Sequence, residues 1–501
     1  MPATTNITSS EVRMYRMGTG DFFVLKFYNE ETVKFKMMID CGCWIREKAG
    51  VKDYIEDMKA WTGGSVDLLV ITHEHYDHVS GFEAWPELFT QDFSVKQIWM
   101  AWTEDDSNPV VADWTQKYGE KKIALANALY RIQELNEDYD FQSSYNFDVN
   151  RNQLSEARES FVEKLKDLVG LQYQAIDKEY KGSLIGMRVV KEQIAQGNVR
   201  FLEPGEIIQQ IEGLTGVRIY ILGPPKVWES IKKENGGEGE SYKHNKELFK
   251  SDAFAAAVST LEPGDDLAPF DQKYLVSERS LDWKPHYKMY TNEDSEWRNI
   301  EFDWLMSAGS LALRVNSMTN NLSVVMAIEI IKSNKVMLFP GDAEYGSWAS
   351  WHNIKWDLDL KRLESTTGKP AKTLAEDLLN RTVFYKVAHH LSHNGTAKRL
   401  GLEMMISPDL VAMATLDYNV ISKGWKSTMP NGAIIDELLS RTKGRLIVMN
   451  EEGLLADRTN GITVKAKTVQ ARARLSDLEK KAFEKRYTRA RLFHQYHVNL
   501  K

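Results

Sequence analysis

Residues 67–81, DLLVITHEHYDHVSG, constrain this chain more than any other stretch. Leu68, Leu69, Val70 and Ile71 form an unbroken apolar run, the pattern of a short strand buried on both faces of a sheet. The run stops at Thr72, and His73, His75, Asp77 and His78 follow at once. His73, His75 and Asp77 alternate, so an extended or tightly turned backbone aims them at one point. Asp77 and His78 are adjacent, and a turn there directs them to a neighbouring point. Imidazoles with a carboxylate suit zinc, iron or manganese, and these offsets favour two nearby ions over one. The plainer account is a polar loop that happens to hold three histidines, but that grouping directly after a buried strand is rare by chance.

The bulk numbers set wide bounds. A length of 501 residues allows a large core, as one elaborated domain or two. A hydrophobic share of 43% with 27% charged residues is that of an ordinary soluble globular chain. No apolar run is long enough to cross a bilayer and the N-terminus lacks a basic and apolar signal pattern, so we expect a cytoplasmic protein without a membrane partner. Cys41 and Cys43 are too close and too few for a disulfide framework. They are either metal ligands or, the preferred account, small buried side chains beside a turn. A net charge of −7 argues against a broadly basic nucleic-acid coat and leaves room for a local basic groove.

Taken in order, the chain predicts strands at 12–17, 22–28 and 35–39, with the turn signal Gly18-Thr19-Gly20-Asp21 between the first two. A helix is expected over 52–60 and a strand over 95–99. Helix formers with three- and four-residue apolar spacing then dominate 113–135 and 154–196, which marks a helical insertion at about 104–198. Strand patterns return at 199–202 and 217–222. A second, polar insertion runs over about 226–305 and carries the loop-like Gly236-Gly237-Glu238-Gly239. Strands are predicted again at 311–315, 323–330, 336–339, 383–388, 410–414 and 446–449, with a helix over 433–439. Residues 1–464 are thus one domain with two insertions. Residues 465–501 read as a basic C-terminal tail, either a solvated helix or a contact for nucleic-acid backbone or an acidic partner. Strands alternating with helices in two batches, with polar strand ends, predict an α/β sandwich of two central sheets with helices outside.

Two further strand ends carry chemistry. The strand at 336–339 runs into Pro340-Gly341-Asp342-Ala343-Glu344, where Gly341 permits a tight backbone and the Asp342 carboxylate can bridge two metals. The strand at 383–388 ends in His389-His390-Leu391-Ser392-His393, which offers His389 or His390 as a ligand.

His73, His75, Asp77 and His78 resemble the H-x-H-x-D-H motif of the metallo-β-lactamase superfamily, whose fold is an αββα sandwich. That superfamily places an Asp and then a His at later strand ends, which points to Asp342 and His390, with His389 as the competitor. It also implies that Asp40, in Ile39-Asp40-Cys41-Gly42, supports the metal loop by accepting a hydrogen bond. The usual further His between the hexad and the bridging Asp is missing, and His244 and His286, both in the polar insertion, are unconvincing substitutes. Gly18 to Asp21, Leu222-Gly223-Pro224-Pro225, Asn320-Asn321-Leu322-Ser323, Gly341 to Glu344 and His389 to Ser392 resemble a narrower group. This is the metallo-hydrolase domain of competence-associated DNA-uptake channel proteins, which also lacks that His. The likeness spans residues 12 to about 464 and departs at Leu391, where that group has Gly, and at Met429, where it often has His.

The resemblance implies a phosphodiesterase, most simply a nuclease acting on DNA, that uses two divalent ions, zinc or manganese. Asp77, Asp342 and His393 are expected to carry catalysis, His393 by protonating the leaving group. Asn320 and Ser392 are expected to rim the site and bind phosphate. The other readings are an acyl or lactam hydrolase, a cyclic-nucleotide phosphodiesterase, a redox di-iron protein, and a non-catalytic protein whose helical insertion docks a partner. A nuclease restrained by such a partner, as in a defence effector, joins two of them.

Overall fold

The structure is a computed structural model describing residues 6–44, 48–112, 185–233, 235–237, 239–240, 242, 315–357, 371–420 and 429–501. The chain divides into two compact units. The first comprises Met1–Val111, Ser183–His244 and Ser317–Lys501. The second, Ala112–Gly182 and Asn245–Asn316, lies outside the described residues except for Ala112, Val315 and Asn316. Most of the two expected insertions, with His244 and His286, therefore also lies outside them.

The first unit is built on two large sheets. One holds β1 (Ser9–Tyr15), β2 (Phe23–Asn29), β3 (Thr32–Ile39), β4 (Ser65–Val70), β5 (Ser94–Ala101) and β6 (Val199–Leu202), with β16 (Tyr487–Arg489) and β17 (Phe493–Asn499) beyond β1. The other holds β7 (Ile207–Ile208), β8 (Val217–Gly223), β9 (Val325–Ile330), β10 (Lys335–Phe339), β11 (Thr382–Lys386), β12 (Val411–Asp417) and β13 (Leu446–Asn450). A small ribbon joins β14 (Leu455–Asp457) to β15 (Ile462–Thr463).

Period-two alternation sorts the side chains into layers. Phe23, Leu25, Met37, Leu68 and Val70 from the first sheet meet Ile219, Met326, Met337, Phe384 and Met413 from the second in one inner core. Leu69, Ile71, Val24 and Met38 point the other way, onto α1 (Lys52–Thr62) and α2 (Tyr76–Ala84). Leu338, Tyr385 and Ala412 point outward onto helices Tyr345–Trp351, Leu374–Asn380 and Gly432–Arg441. The run 68–71 is apolar throughout because β4 is covered on both faces, and the layer order is the expected metallo-β-lactamase-like αββα sandwich.

Two local expectations need correction. Val315, the end of the strand expected at 311–315, is helical. Ser317 and Asn320 of that helix, three residues apart, both reach the Glu344 carboxylate, which a strand would have aimed to opposite faces. The segment expected as a basic tail after 464 begins with two helices, Val464–Arg472 and Asp477–Arg486, as a solvated-helix reading expects, but its end is part of the sheet: β17 pairs antiparallel with β1, Val12 opposite Tyr496. His494, Tyr496, Val498 and Leu500 are buried, so β17 has the pattern of a half-buried strand.

The strands that matter for chemistry run parallel. β3, β4 and β5 form one parallel group and β10, β11, β12 and β13 another. Their carboxyl ends bear Asp40, the residues 72–78, Asp342 and His390.

Candidate metal centre

Past β4 the backbone turns straight into α2. His75 occupies the N-cap and Asp77 and His78 lie in the first turn, where the helix dipole favours the Asp77 carboxylate. Neighbouring loops hold this turn by its backbone. Asp21 N–H donates to Asp77 O (3.0 Å), Cys41 N–H to His78 O (2.9 Å) and Gly81 N–H to Cys41 O (2.8 Å). The approach is closest at Gly42, where a Cβ would stand 2.2 Å from both the Asp77 carbonyl carbon and the His78 nitrogen.

Hydrogen bonds then fix which nitrogen of each imidazole carries its proton. Asp40 accepts the Thr72 N–H (2.8 Å) and O–H (2.6 Å), and His78 Nδ1 lies 2.8 Å from the same carboxylate. A carboxylate only accepts, so His78 donates from Nδ1 and keeps a lone pair on Nε2. Thr415 O–H donates to Asp21 (2.7 Å), so its oxygen accepts from His390 Nδ1 (2.8 Å) and leaves His390 Nε2 as a lone pair too.

Both lone pairs converge on carboxylates. His390 Nε2 lies 3.0 Å from Asp342 Oδ2 and 3.1 Å from Asp77 Oδ2. His78 Nε2 lies 3.2 Å from Asp342 Oδ2 and 3.9 Å from Asp77 Oδ1. All four residues are buried, and their ligand atoms lie within 4.8 Å of one another. His78 Nε2 and Asp77 Oδ1 have no hydrogen-bond partner. Two nitrogen lone pairs aimed at two carboxylates repel unless a cation lies among them, so the donor set fits a divalent transition metal. With protons alone, burial opposes charge on His390, yet Asp342 and Asp77 outweigh it and raise its pKa to about 9. His78 is driven the same way: burial again opposes, and Asp342, Asp77, Asp40 and Asp21 prevail. Burial also works against ionised Asp342, whose pKa His390, Lys386 and His78 nonetheless hold well below the usual carboxylate range.

His73 and His75 form a separate pair, with His73 Nε2 2.9 Å from His75 Nδ1. His73 Nδ1 faces the Thr72 and Ser323 hydroxyls at 3.1 and 3.3 Å. Burial, then the neighbouring His78 and His75, push its pKa well below the ordinary histidine value, so it is a neutral, ligand-competent imidazole.

The rest of the expected set is distributed differently. His390, not His389, joins the cluster, while His389 turns to Glu344 Oε1 (3.3 Å) and Asn320 (3.3 Å). His389, His390 and Leu391 all have left-handed backbones, with φ of 46°, 47° and 65°. Leu391 thus holds a positive φ that ordinarily favours Gly, and its side chain fills the outer core. Asn320 is helical and fully buried, and gives its amide to Glu344 Oε1 (2.7 Å) instead of rimming the site. Ser392 is buried and donates to Asn394 (2.8 Å), and His393 is half-buried on the following turn. Cys41 and Cys43 are free, buried thiols.

Sequence reasoning missed Asp21, Thr72, Thr415 and Glu344, which set tautomers or support the loops, and Lys386, buried at the end of β11. For Lys386 one signal was visible, a lone charge within the apolar run Val383–Ala388. For the others, Thr and Asp at strand ends are too common to stand out.

Residues 30–109, from the β2–β3 turn through the metal loop to just past β5, match the family model of the metallo-beta-lactamase superfamily. Neither a curated protein nor a solved structure matches the chain. That superfamily is mostly metal-dependent hydrolases, and the match together with the buried cluster gives this domain the same class. Among the described residues no helix is long and apolar enough to cross a membrane.

Proposed function

We propose that this chain is a metal-dependent phosphodiesterase acting on nucleic acid, most simply a DNA nuclease. The convergence of His78 and His390 Nε2 lone pairs with Asp77 and Asp342 carries the hydrolase part of this reading. The motif-level likeness to the metallo-hydrolase domain of DNA-uptake channels supports phosphodiester over acyl substrates. A first divalent ion, zinc or manganese, would be held by Asp77, His78, Asp342 and His390. A second would be held more weakly by His73 and His75.

Such an ion supplies Lewis acidity toward a phosphoryl oxygen and toward water. The chain's own residues prepare the ground for it. Asp40 and the Thr415–Asp21 pair hold His78 and His390 in the ligating tautomer. Burial of the cluster restricts competing water. His389 has a pKa lowered to about 4, chiefly by burial, so it is a neutral hydrogen-bonding group beside the site. His393, on the next turn, is assigned the proton for the leaving oxygen. A protein partner docking on the insertion expected at about 104–198 would restrain the activity.

The test is turnover by metal-loaded protein of a chromogenic phosphodiester and a chromogenic β-lactam, followed by linear, circular and single-stranded DNA, RNA and a cyclic dinucleotide. Phosphodiester turnover without lactam turnover is expected, and the reverse preference contradicts the proposal. His393→Ala should slow esters with poor leaving groups far more than those with good ones, and an equal loss on both removes His393 from its role.

A further inference from the structure

The two oxygens of Asp342 have different tasks. Oδ2 faces both ligand imidazoles of the cluster, His78 and His390. Oδ1 accepts from the Lys386 ammonium at 3.0 Å and from the His389 N–H at 3.2 Å. Lys386 is itself fully committed, donating also to Gly341 O (2.8 Å) and pairing closely with Asp21. An ammonium at 1% exposure is costly to bury unless its donors are all matched, and here three acceptors meet its three N–H groups. It is therefore a fixed positive charge on the oxygen that a second metal ion would need in order to share Asp342.

The His73–His75 pair agrees with this. Among the described residues, groupings of three or more ligand atoms within reach of one ion contain His78, Asp77, Asp342, His390, Asp21 and Asp40, and neither His73 nor His75.

We infer that the Lys386 ammonium takes the place of a second divalent cation at Asp342, so that the centre holds one ion tightly. This inference rests on the metal-centre reading above but not on the choice of substrate.

Metal-free wild type, Lys386→Gln and Lys386→Arg would be titrated with Mn²⁺ by calorimetry and with Co²⁺ by absorption and electron paramagnetic resonance. Wild type should show one tight equivalent and no spin coupling at two equivalents. Lys386→Arg, which keeps the charge, should behave alike. Lys386→Gln should bind the second ion at least about tenfold more tightly than wild type does, a change on the scale of removing an outer-shell partner, and show coupled cobalt ions. Two tight equivalents or coupled ions in wild type would overturn the inference, as would a Gln variant whose second-ion affinity is unchanged. If the Gln variant does not fold, the wild-type stoichiometry and coupling still decide. Absence of any tight ion in wild type overturns the metal-centre reading and this inference with it, whereas a failed phosphodiester assay touches neither.

Discussion

The two halves of the histidine motif lie within a few residues of each other yet meet different surroundings. Asp77 and His78 look toward Asp342 and His390 from the second sheet, and each imidazole there is braced by a carboxylate or by a threonine–carboxylate pair. His73 and His75 look toward each other, with two hydroxyls behind His73, and among the described residues neither belongs to a grouping of three or more ligand atoms within reach of one ion. Two halves of one short motif thus become one strong and one weak binding position. What separates them is the far side of the site, supplied by strands hundreds of residues away.

The largest expected effect follows from that contrast. Asp342→Asn should weaken the tight ion by more than ~100-fold and abolish turnover, while His75→Ala should leave its affinity within about threefold, both read by titration. Equal losses in the two variants would erase the distinction. Next come the braces: Asp40→Ala and Thr415→Val should each cost about 10–100-fold in tight-ion affinity, the range for outer-shell partners. Ser323→Ala, behind His73, should cost the tight ion almost nothing. A Ser323 variant as damaging as Asp40→Ala would show that the two positions are one.

Acidity provides a third comparison. His390 is raised to about 9 in the metal-free protein, so below that pH an ion must displace its proton. Tight-ion affinity should therefore climb between pH 7 and 9, by up to about tenfold per pH unit for each of His390 and His78 that must lose a proton. The raised value has a consequence for folding of the opposite sign. Its stabilisation of the metal-free fold is complete below the ordinary histidine value of 6.5 and is lost as pH rises through about 9. Thermal melts should show the metal-free protein weakening over that window and the metal-loaded protein holding steady. An affinity flat with pH would mean that His390 is not a ligand. The smallest effect concerns the loop beneath: Gly42→Ala, crowding the Asp77–His78 peptide, should cost ~1–3 kcal/mol in chemical denaturation. Gly50→Ala, with open space around it, is the control.

Much of this was legible in the sequence because local physics determined it. A strand covered on both faces must be apolar throughout, so 68–71 announced itself, and the ends of such strands are where polar residues become affordable to the fold. Asp77, His78, Asp342, His390 and the supporting Asp40 all stand at those ends. The choice between His389 and His390 was not legible, because it depends on three successive left-handed residues that rotate the neighbouring rings apart. Nor was the role of residues 493–499. The charged helices before them dominated the composition, although FHQYHVN alternates as a half-buried strand does. Its partner β1 lies at the other end of the chain. Lys386 belongs to the same class of failure, since a lysine in an apolar strand signals a buried charge but not the Asp21 that neutralises it.

The central claim is that Asp77, His78, Asp342 and His390 hold a transition metal. Elemental analysis of the desalted chain, beside its Asp342→Asn variant, tests it most directly. The account predicts close to one equivalent of zinc, manganese or iron in wild type and almost none in the variant, with both proteins folded. A folded wild type that carries no metal and takes up none of the three on titration would contradict it.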